Sequence, residues 1–340
     1  MKIAICHREG SFSDRWIEYC QKNNVKYKIV DAFNSDIIKH VNDCDVFMWH
    51  HHHANNKDII NAKRILFTLE QAGLIVFPNF NTGWHFDDKV AQKYLLEALN
   101  APLVKSYVFY SKKEALNWAK NTTYPKVFKL KGGAGASNVK LVKDYKKAVL
   151  LINKSFGRGF KLIDNTYNFK EKFKKFKSGK ESFINVIKSI ITSILYNRIN
   201  NKMIERDYIY FQDFIPNNDS DTRVIVIGEK AFAIKRIVRE NDFRASGSGN
   251  IVYNYKEINS ECIRVAFEIN EKIKSQCNAF DFIIDSSGKP LIVEISYGFS
   301  MKAYDKCPGY WNTNLDWIDG EISPQFWIIE NIINQTKLNY

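Results

Sequence analysis

FDFIIDSSGKPLIVEIS, from Phe280 to Ser296, reads as two strands, FDFII and LIVEI, joined by a Ser-Ser-Gly-Lys-Pro turn. The apolar positions of each strand surround one carboxylate, Asp281 on the first and Glu294 on the second. A carboxylate inside an apolar strand costs several kcal/mol unless it is paired or metal-bound. Two on neighbouring strands make a hard oxygen site suited to Mg²⁺, an ion that also carries nucleotide phosphates. The plainer alternative is a hairpin whose Asp281 and Glu294 face solvent, and this stretch alone does not separate the two.

Upstream lies DTRVIVIGEKAFAIKRIVRENDFRASGSGN, Asp221 to Asn250. TRVIVIG and AFAIKRIV form a hairpin whose polar positions carry Arg223, Lys235 and Arg236. Adjacent basic residues after four apolar ones are odd for a core but natural where a triphosphate is clamped. Arg244 opens the small-residue loop ASGSGN, whose backbone N–H groups can serve a tetrahedral or phosphoryl intermediate. Further upstream, PKVFKLKGGAGASNV sets Lys129 at a strand end before Gly132, Gly133, Gly135 and Ser137. Glycines let backbone amides approach phosphate oxygens closely, and the lysine supplies a point charge. The run lacks the GK[ST] of a Walker A loop and does not open a helix as GxGxxG does, and a ligand-free glycine turn is an equally open reading.

The chain has 340 residues, 45% hydrophobic and 14% aromatic, enough for two or three domains with a real core. Six cysteines without CxxC spacing point to reduced thiols and a cytoplasmic protein. No apolar run reaches membrane-spanning length. The net charge of +13 suits an anionic ligand such as a nucleotide, a nucleotide-sugar or a lipid surface. Part of it is local to a lysine-rich stretch, 161–180, compatible with a solvated basic face. No nucleic-acid-binding pattern is present. Residues 1–80 alternate strand and helix (KIAICH, YKIVDAF, DVFMWH, LIVFPNF), which argues for a small parallel sheet. Helices DDKVAQKYLLEAL and SKKEALNWAK follow, then strands around the glycine loop and a helical region over about 160–205. Within that region ESFINVIKSIITSILYNRINN is amphipathic, for core, interface or membrane-surface packing. From Tyr208 to Glu294 the chain is mainly β, with one helix, INSECIRVAFEINEKIKSQ.

Asp88-Lys89, then Lys129 and the glycine loop, then YFQDFIP, DTR…KR…DFRASGSGN and FDFI…VEIS, form an ordered series over about residues 86–300. That series resembles the ATP-grasp superfamily, in particular the branch with glutathione synthetase and the ribosomal-protein glutamate ligases. The resemblance implies an α/β fold, α+β in its C-terminal part: a pre-ATP-grasp βα domain (1–85), an ATP-grasp lobe (86–205) and a C-terminal lobe with the Mg²⁺ and phosphate site (206–340). It implies that Lys129 touches the ATP phosphates and that Gly132–Ser137 form a lid over them. Phe211, Gln212, Asp213, Phe214 and Ile215 match the hinge whose backbone holds the adenine edge. Asp221 matches an acidic ribose or substrate contact, with Arg223 and Lys235 beside the nucleotide. Arg236 and Arg244 match catalytic positions around the γ-phosphate and acyl-phosphate. Asp281 and Glu294 match ligands of one or two Mg²⁺ ions. The family's Glu-x-Asn becomes Glu294-Ile295-Ser296, so Ser296, Asn312 or Asn314 is the expected substitute ligand.

The implied activity is an ADP-forming carboxylate–amine ligation on small-molecule acid and amine substrates. A phosphotransferase and a non-catalytic nucleotide-binding protein are the alternatives. The tail, with Cys307–Trp311 (CPGYW), resembles ATP-grasp proteins of bacterial surface-polysaccharide pathways. Cys307 itself reads as a packing residue. His50–His53, at the carboxyl end of the DVFMW strand, is open to a substrate contact, a metal or a solvated loop. A charged carrier or a second copy in a homodimer is compatible with the basic region.

Overall fold

The computed structural model describes residues 1–52, 55–133, 138–161, 204–239 and 242–338. Gly135, Ser137, His53 and most of the 160–205 region lie outside these residues. The main elements in chain order begin with β1 (Lys2–Cys6), α1 (Phe12–Lys22), β2 (Lys26–Val30), β3 (Val46–Trp49), α2 (Asn56–Gln71) and β4 (Ile75–Phe77). Next come α3 (Lys89–Ala98), β5 (Ser106–Phe109), α4 (Lys112–Asn121), β6 (Lys126–Lys129), β7 (Lys140–Val142) and α5 (Tyr145–Ser155). Then follow β8 (Ile209–Asp213), β9 (Ser220–Ile227), β10 (Lys230–Ile237), α6 (Ser260–Ile273), β11 (Cys277–Ile284) and β12 (Pro290–Ser296). β13 (Gly309–Trp311), β14 (Trp317–Asp319) and α7 (Pro324–Leu338) close the chain.

Two compact units result: 1–86, 91–103 and 215–340 form the first, 87–90 and 104–214 the second. The expected segments 1–85 and 206–340 thus pack mostly as one body. In this first unit a parallel sheet, ordered β2-β1-β3-β4, comes from the βα alternation read in the sequence. A larger antiparallel sheet runs β12-β11-β9-β10-β13-β14. One apolar cluster joins them: Ile3, Ile5, Trp16 and Phe77 share a core with Ile225, Phe232, Tyr297 and Trp327. A second cluster packs the opposite face of the large sheet (Val224, Val226, Phe280, Phe282) on α6 through Ile263, Ala266 and Ile269. α6 shows why a helix forms here. Asn259 caps it by accepting from the Glu261 N–H, and its apolar residues recur at helical spacing.

The second unit holds an antiparallel sheet ordered β5-β8-β6-β7: β8 pairs with both β5 and β6, and β6 with β7. Phe128, Phe211 and Ile209 on one face pack on α4 and α5 through Ala115, Ala119, Ala148 and Ile152. α5 was not read in the sequence, although Asp144 caps it (accepting from Lys147 N–H) and Ala148, Leu151, Ile152 and Ser155 form its buried face. Among the described residues no helix is long and apolar enough to cross a membrane.

Candidate functional site

Strand alternation decides which polar residues meet in the first unit. Asp221 lies opposite Arg236, Arg223 opposite Asp281, and Asp281 opposite Glu294. Asp221, Arg223, Arg236 and Asp281 therefore continue the sheet face that Ile225, Ile227, Phe232, Ile234 and Ala279 devote to the core. One face is apolar at one end and ionic at the other. Arg236 clamps Asp221 through Nε (2.6 Å) and Nη2 (2.7 Å) and reaches Asp281 at 2.9 Å. Arg223 lies 3.1 Å from Asp281 and donates to the Gly298 carbonyl at 3.2 Å. These four side chains are only 10–16% exposed.

Burial pushes the Asp221 carboxyl above its ordinary value against the pull of Arg236. Burial works to lower the Arg236 guanidinium as well, but Asp281 and Asp221 raise it well above its usual value. The carboxylates of Asp221, Asp281 and half-buried Glu294 share this sheet face with the guanidiniums of Arg223 and Arg236. Among the described residues no three or more His, Cys, Asp or Glu side chains gather into a metal site. Mg²⁺ needs no such cage: one or two carboxylates completed by phosphate oxygens and water suffice. The donors and charge of Asp281 and Glu294 fit that pattern.

The second unit brings together a separate polar set. Lys129, 5% exposed, donates to Gln212 Oε1 at 2.6 Å. Gln212 Nε2 donates to Ser106 Oγ (3.1 Å), which also accepts from the Tyr210 hydroxyl (2.8 Å). By register these residues share the sheet face opposite the Phe128–Phe211 core. Asp213 pairs with Lys126 at 2.6 Å, and Phe214 and Ile215 follow it out of the strand. Gly133 adopts φ +104°, a conformation that favours glycine. Its N–H donates to Asp87 (3.0 Å) and its carbonyl accepts from Lys89 Nζ (3.0 Å), which fixes the start of the loop beside Gly132.

The RimK-like ATP-grasp domain family matches residues 130–316, more than half of the 340-residue chain. The chain belongs to the RimK-like ATP-grasp family. It is 22% identical over 280 residues to the alpha-aminoadipate–LysW ligase LysX of Saccharolobus solfataricus, covering 79% of this chain and 83% of that protein. Its fold is similar to D-alanine–D-alanine ligase from Bacillus anthracis complexed with ATP (TM-score 0.57, 13% identity, 100% and 99% of the two chains covered). It is also similar to the biotin carboxylase domain of 2-oxoglutarate carboxylase from Hydrogenobacter thermophilus, in complex with MgADP (TM-score 0.61, 11% identity, 98% and 69% covered).

Several expected site residues of this RimK-like ATP-grasp chain stand apart from these sets. Lys235 lies on the opposite sheet face from Arg236, because neighbours in a strand alternate, and sits 3.8 Å from Glu257. Ser296 turns its hydroxyl to its own backbone, donating to Gly298 O (3.1 Å) and accepting from Gly298 N–H (3.2 Å). Asn312, the other expected ligand, spends its amide on Asp316 in the turn between β13 and β14, and Asn314 is exposed in the same turn. Arg244 forms a bidentate pair with Asp242, Nε at 2.9 Å and Nη2 at 2.5 Å. Against the effect of burial, that pairing holds the Asp242 carboxyl below its ordinary value. In the ASGSGN loop, the Ser248 N–H donates to Ala245 O and the Asn250 N–H to Ser248 Oγ, so these two amides serve the loop's own turn.

The histidine run is built into the first unit. His50 Nδ1 accepts from the Phe12 N–H (3.2 Å) and its ring stacks on Phe12 (3.8 Å). That contact places the ring proton of a neutral His50 on Nε2. His51 is buried against Phe86 and Tyr297, and the His52 N–H donates to Asp58 (2.6 Å). Burial and the nearby charge of Arg8 both lower His52. Arg8 follows β1 at the same end of the parallel sheet and was passed over in the sequence. Its side chain makes no ion pair or hydrogen bond among the described residues, and its Nε is buried. An arginine just past the carboxyl end of a βα-type strand was the available signal.

Two residues of the tail have packing roles. Cys307 is buried, its thiol pushed up to about 12 by burial, as expected for a packing cysteine. A Cβ on Gly309 would stand 2.2 Å from the Ile318 carbonyl, so the close pairing of β13 with β14 requires glycine in CPGYW. Packing alone thus explains the part of that run centred on Gly309.

Proposed function

We propose that the protein is an ATP-dependent carboxylate–amine ligase that works through an acyl-phosphate. The observation that carries this is the buried Asp221–Arg236–Asp281–Arg223 cluster with Glu294, in a chain of ATP-grasp family and fold. A carboxylate oxygen of the acid attacks the γ-phosphorus, the β–γ bridging P–O bond breaks, and ADP leaves. The amine then attacks the acyl carbon, the C–O bond to phosphate breaks, and the amine gives up a proton. Neither step needs covalent chemistry from the protein; positioning and charge neutralisation carry it.

Asp281 and Glu294 would hold Mg²⁺, which when bound neutralises phosphate charge. Arg236 and Arg223 orient these carboxylates, and Arg236 presents a guanidinium to a phosphoryl group. Lys129, steadied by Gln212, contacts the nucleotide phosphates, and the chain after Gln212 and Asp213 serves the adenine. Arg8 takes an anionic group of a substrate. The relative named alpha-aminoadipate–LysW ligase supports an amino acid as one substrate, with a sugar acid as the alternative. A surface-polysaccharide role remains the reading suggested by the tail.

The test is a hydroxylamine trap: candidate acids with ATP, Mg²⁺ and hydroxylamine yield a hydroxamate with ADP. A stable phosphorylated acid formed without any amine would replace the ligase with a kinase. ATP binding with no turnover on any acid would leave a non-catalytic nucleotide-binding protein.

Lys129→Ala is expected to weaken ATP binding by about 1.5–3 kcal/mol, the range for a charge-assisted hydrogen bond. Calorimetry reads this directly, and an unchanged dissociation constant removes Lys129 from the phosphate site.

A further inference from the structure

We propose that the outer face of α4 and α5 in the second unit docks on an anionic membrane surface. The charge of the chain is divided unevenly. Residues 104–161 hold fourteen lysines and arginines against two acidic residues, Glu114 and Asp144, a net of +12 in a chain of net +13. The first unit, though larger, holds 25 basic and 27 acidic residues, a net of −2. A lysine-rich composition alone would spread over both units.

Five of these fourteen basic residues are exposed on two neighbouring helices. In α5 the buried face is Ala148, Leu151, Ile152 and Ser155, and Lys146 and Lys147 are exposed on the opposite side. Asp144, which caps the helix by accepting the Lys147 N–H (2.8 Å), is the one acidic side chain beside them. In α4 the buried Ala115 and Ala119 leave Lys112, Lys113 and Lys120 exposed. At helical spacing Leu150 falls between Lys146 and Lys147 in angle, and it is 65% exposed.

A single exposed leucine is ordinary. One centred in an unbalanced lysine face matches the interface of a bilayer, where the apolar side chain enters the acyl boundary and lysine stems snorkel to the headgroups. Phosphates of a nucleic acid would use the lysines and leave Leu150 without a role. Each lysine near an anionic surface adds about a fivefold gain in binding, so a few suffice for reversible attachment.

The test uses the full chain and two vesicle types, pure phosphatidylcholine and phosphatidylcholine mixed with phosphatidylglycerol, at about 0.15 M salt. Sedimentation with the mixed vesicles alone is expected. Lys146→Glu/Lys147→Glu should lower that partition by about a hundredfold, and Leu150→Asn by about tenfold, with thermal melting and ATP binding unchanged. Absence of binding to mixed vesicles, or full binding by the double variant, overturns the proposal. So does tighter binding of polyglutamate or a short DNA duplex that the same variants abolish, which would make the face a site for an acidic polypeptide or nucleic acid.

Discussion

Glu294→Gln should lower turnover by about a thousandfold, equivalent to ~4 kcal/mol of transition-state stabilisation, while the protein melts near the wild-type temperature. Glu294 sits half-buried at the edge of the cluster, and the amide keeps its shape there. Asp281→Asn should match it in lost turnover and differ in stability. Asp281 lies within 3.1 Å of Arg223 and 2.9 Å of Arg236, both largely buried. Removing one member of such a network destabilises by about 3–5 kcal/mol, because the remaining charges are left without compensation. The two variants therefore separate catalysis from folding. Turnover is read as ADP release with an acid and hydroxylamine that together give hydroxamate. Wild-type rates in Glu294→Gln would remove the metal assignment, and an unshifted melting point in Asp281→Asn would show that the arginines find other partners.

The hairpin around Asp281 and Glu294 was legible because strand alternation and one carboxylate per strand are local properties. So were the parallel sheet of residues 1–80 and the strand carrying Lys129. What the sequence did not disclose is which face each polar residue would choose. KR in AFAIKRIV looks like one basic feature, yet alternation sends Arg236 into the ionic cluster and Lys235 toward Glu257. Nor do local patterns show that Asp221, fifteen residues from Arg236, closes the cluster. The shared core of Ile3, Trp16, Ile225 and Phe232 is likewise a long-range event, which is why the segments 1–85 and 206–340 read as separate but pack together. Ser296 was legible as a departure from Glu-x-Asn, whereas its turn onto Gly298 was not.

Arg244 gives the sharpest test of the acyl-phosphate route. In the structure its guanidinium is held in a fork by Asp242, with the Arg244 N–H donating to the same carboxylate at 3.1 Å. A guanidinium fixed in this way loses little freedom when a phosphoryl oxygen arrives, so its contact can strengthen as charge develops. Arg244→Ala should then lower kcat by about a hundred- to a thousandfold, with the KM for ATP changing by less than about threefold. Asp242→Asn should lower kcat less, because the arginine survives and only its positioning is lost. Products in every active variant should be ADP and phosphate in equal amounts, formed only when acid and amine are both present. A rise in KM for ATP with kcat unchanged would make Arg244 a ground-state nucleotide contact. AMP and pyrophosphate as products would show that the acid attacks the α-phosphorus instead, and the acyl-phosphate would have no place in the reaction.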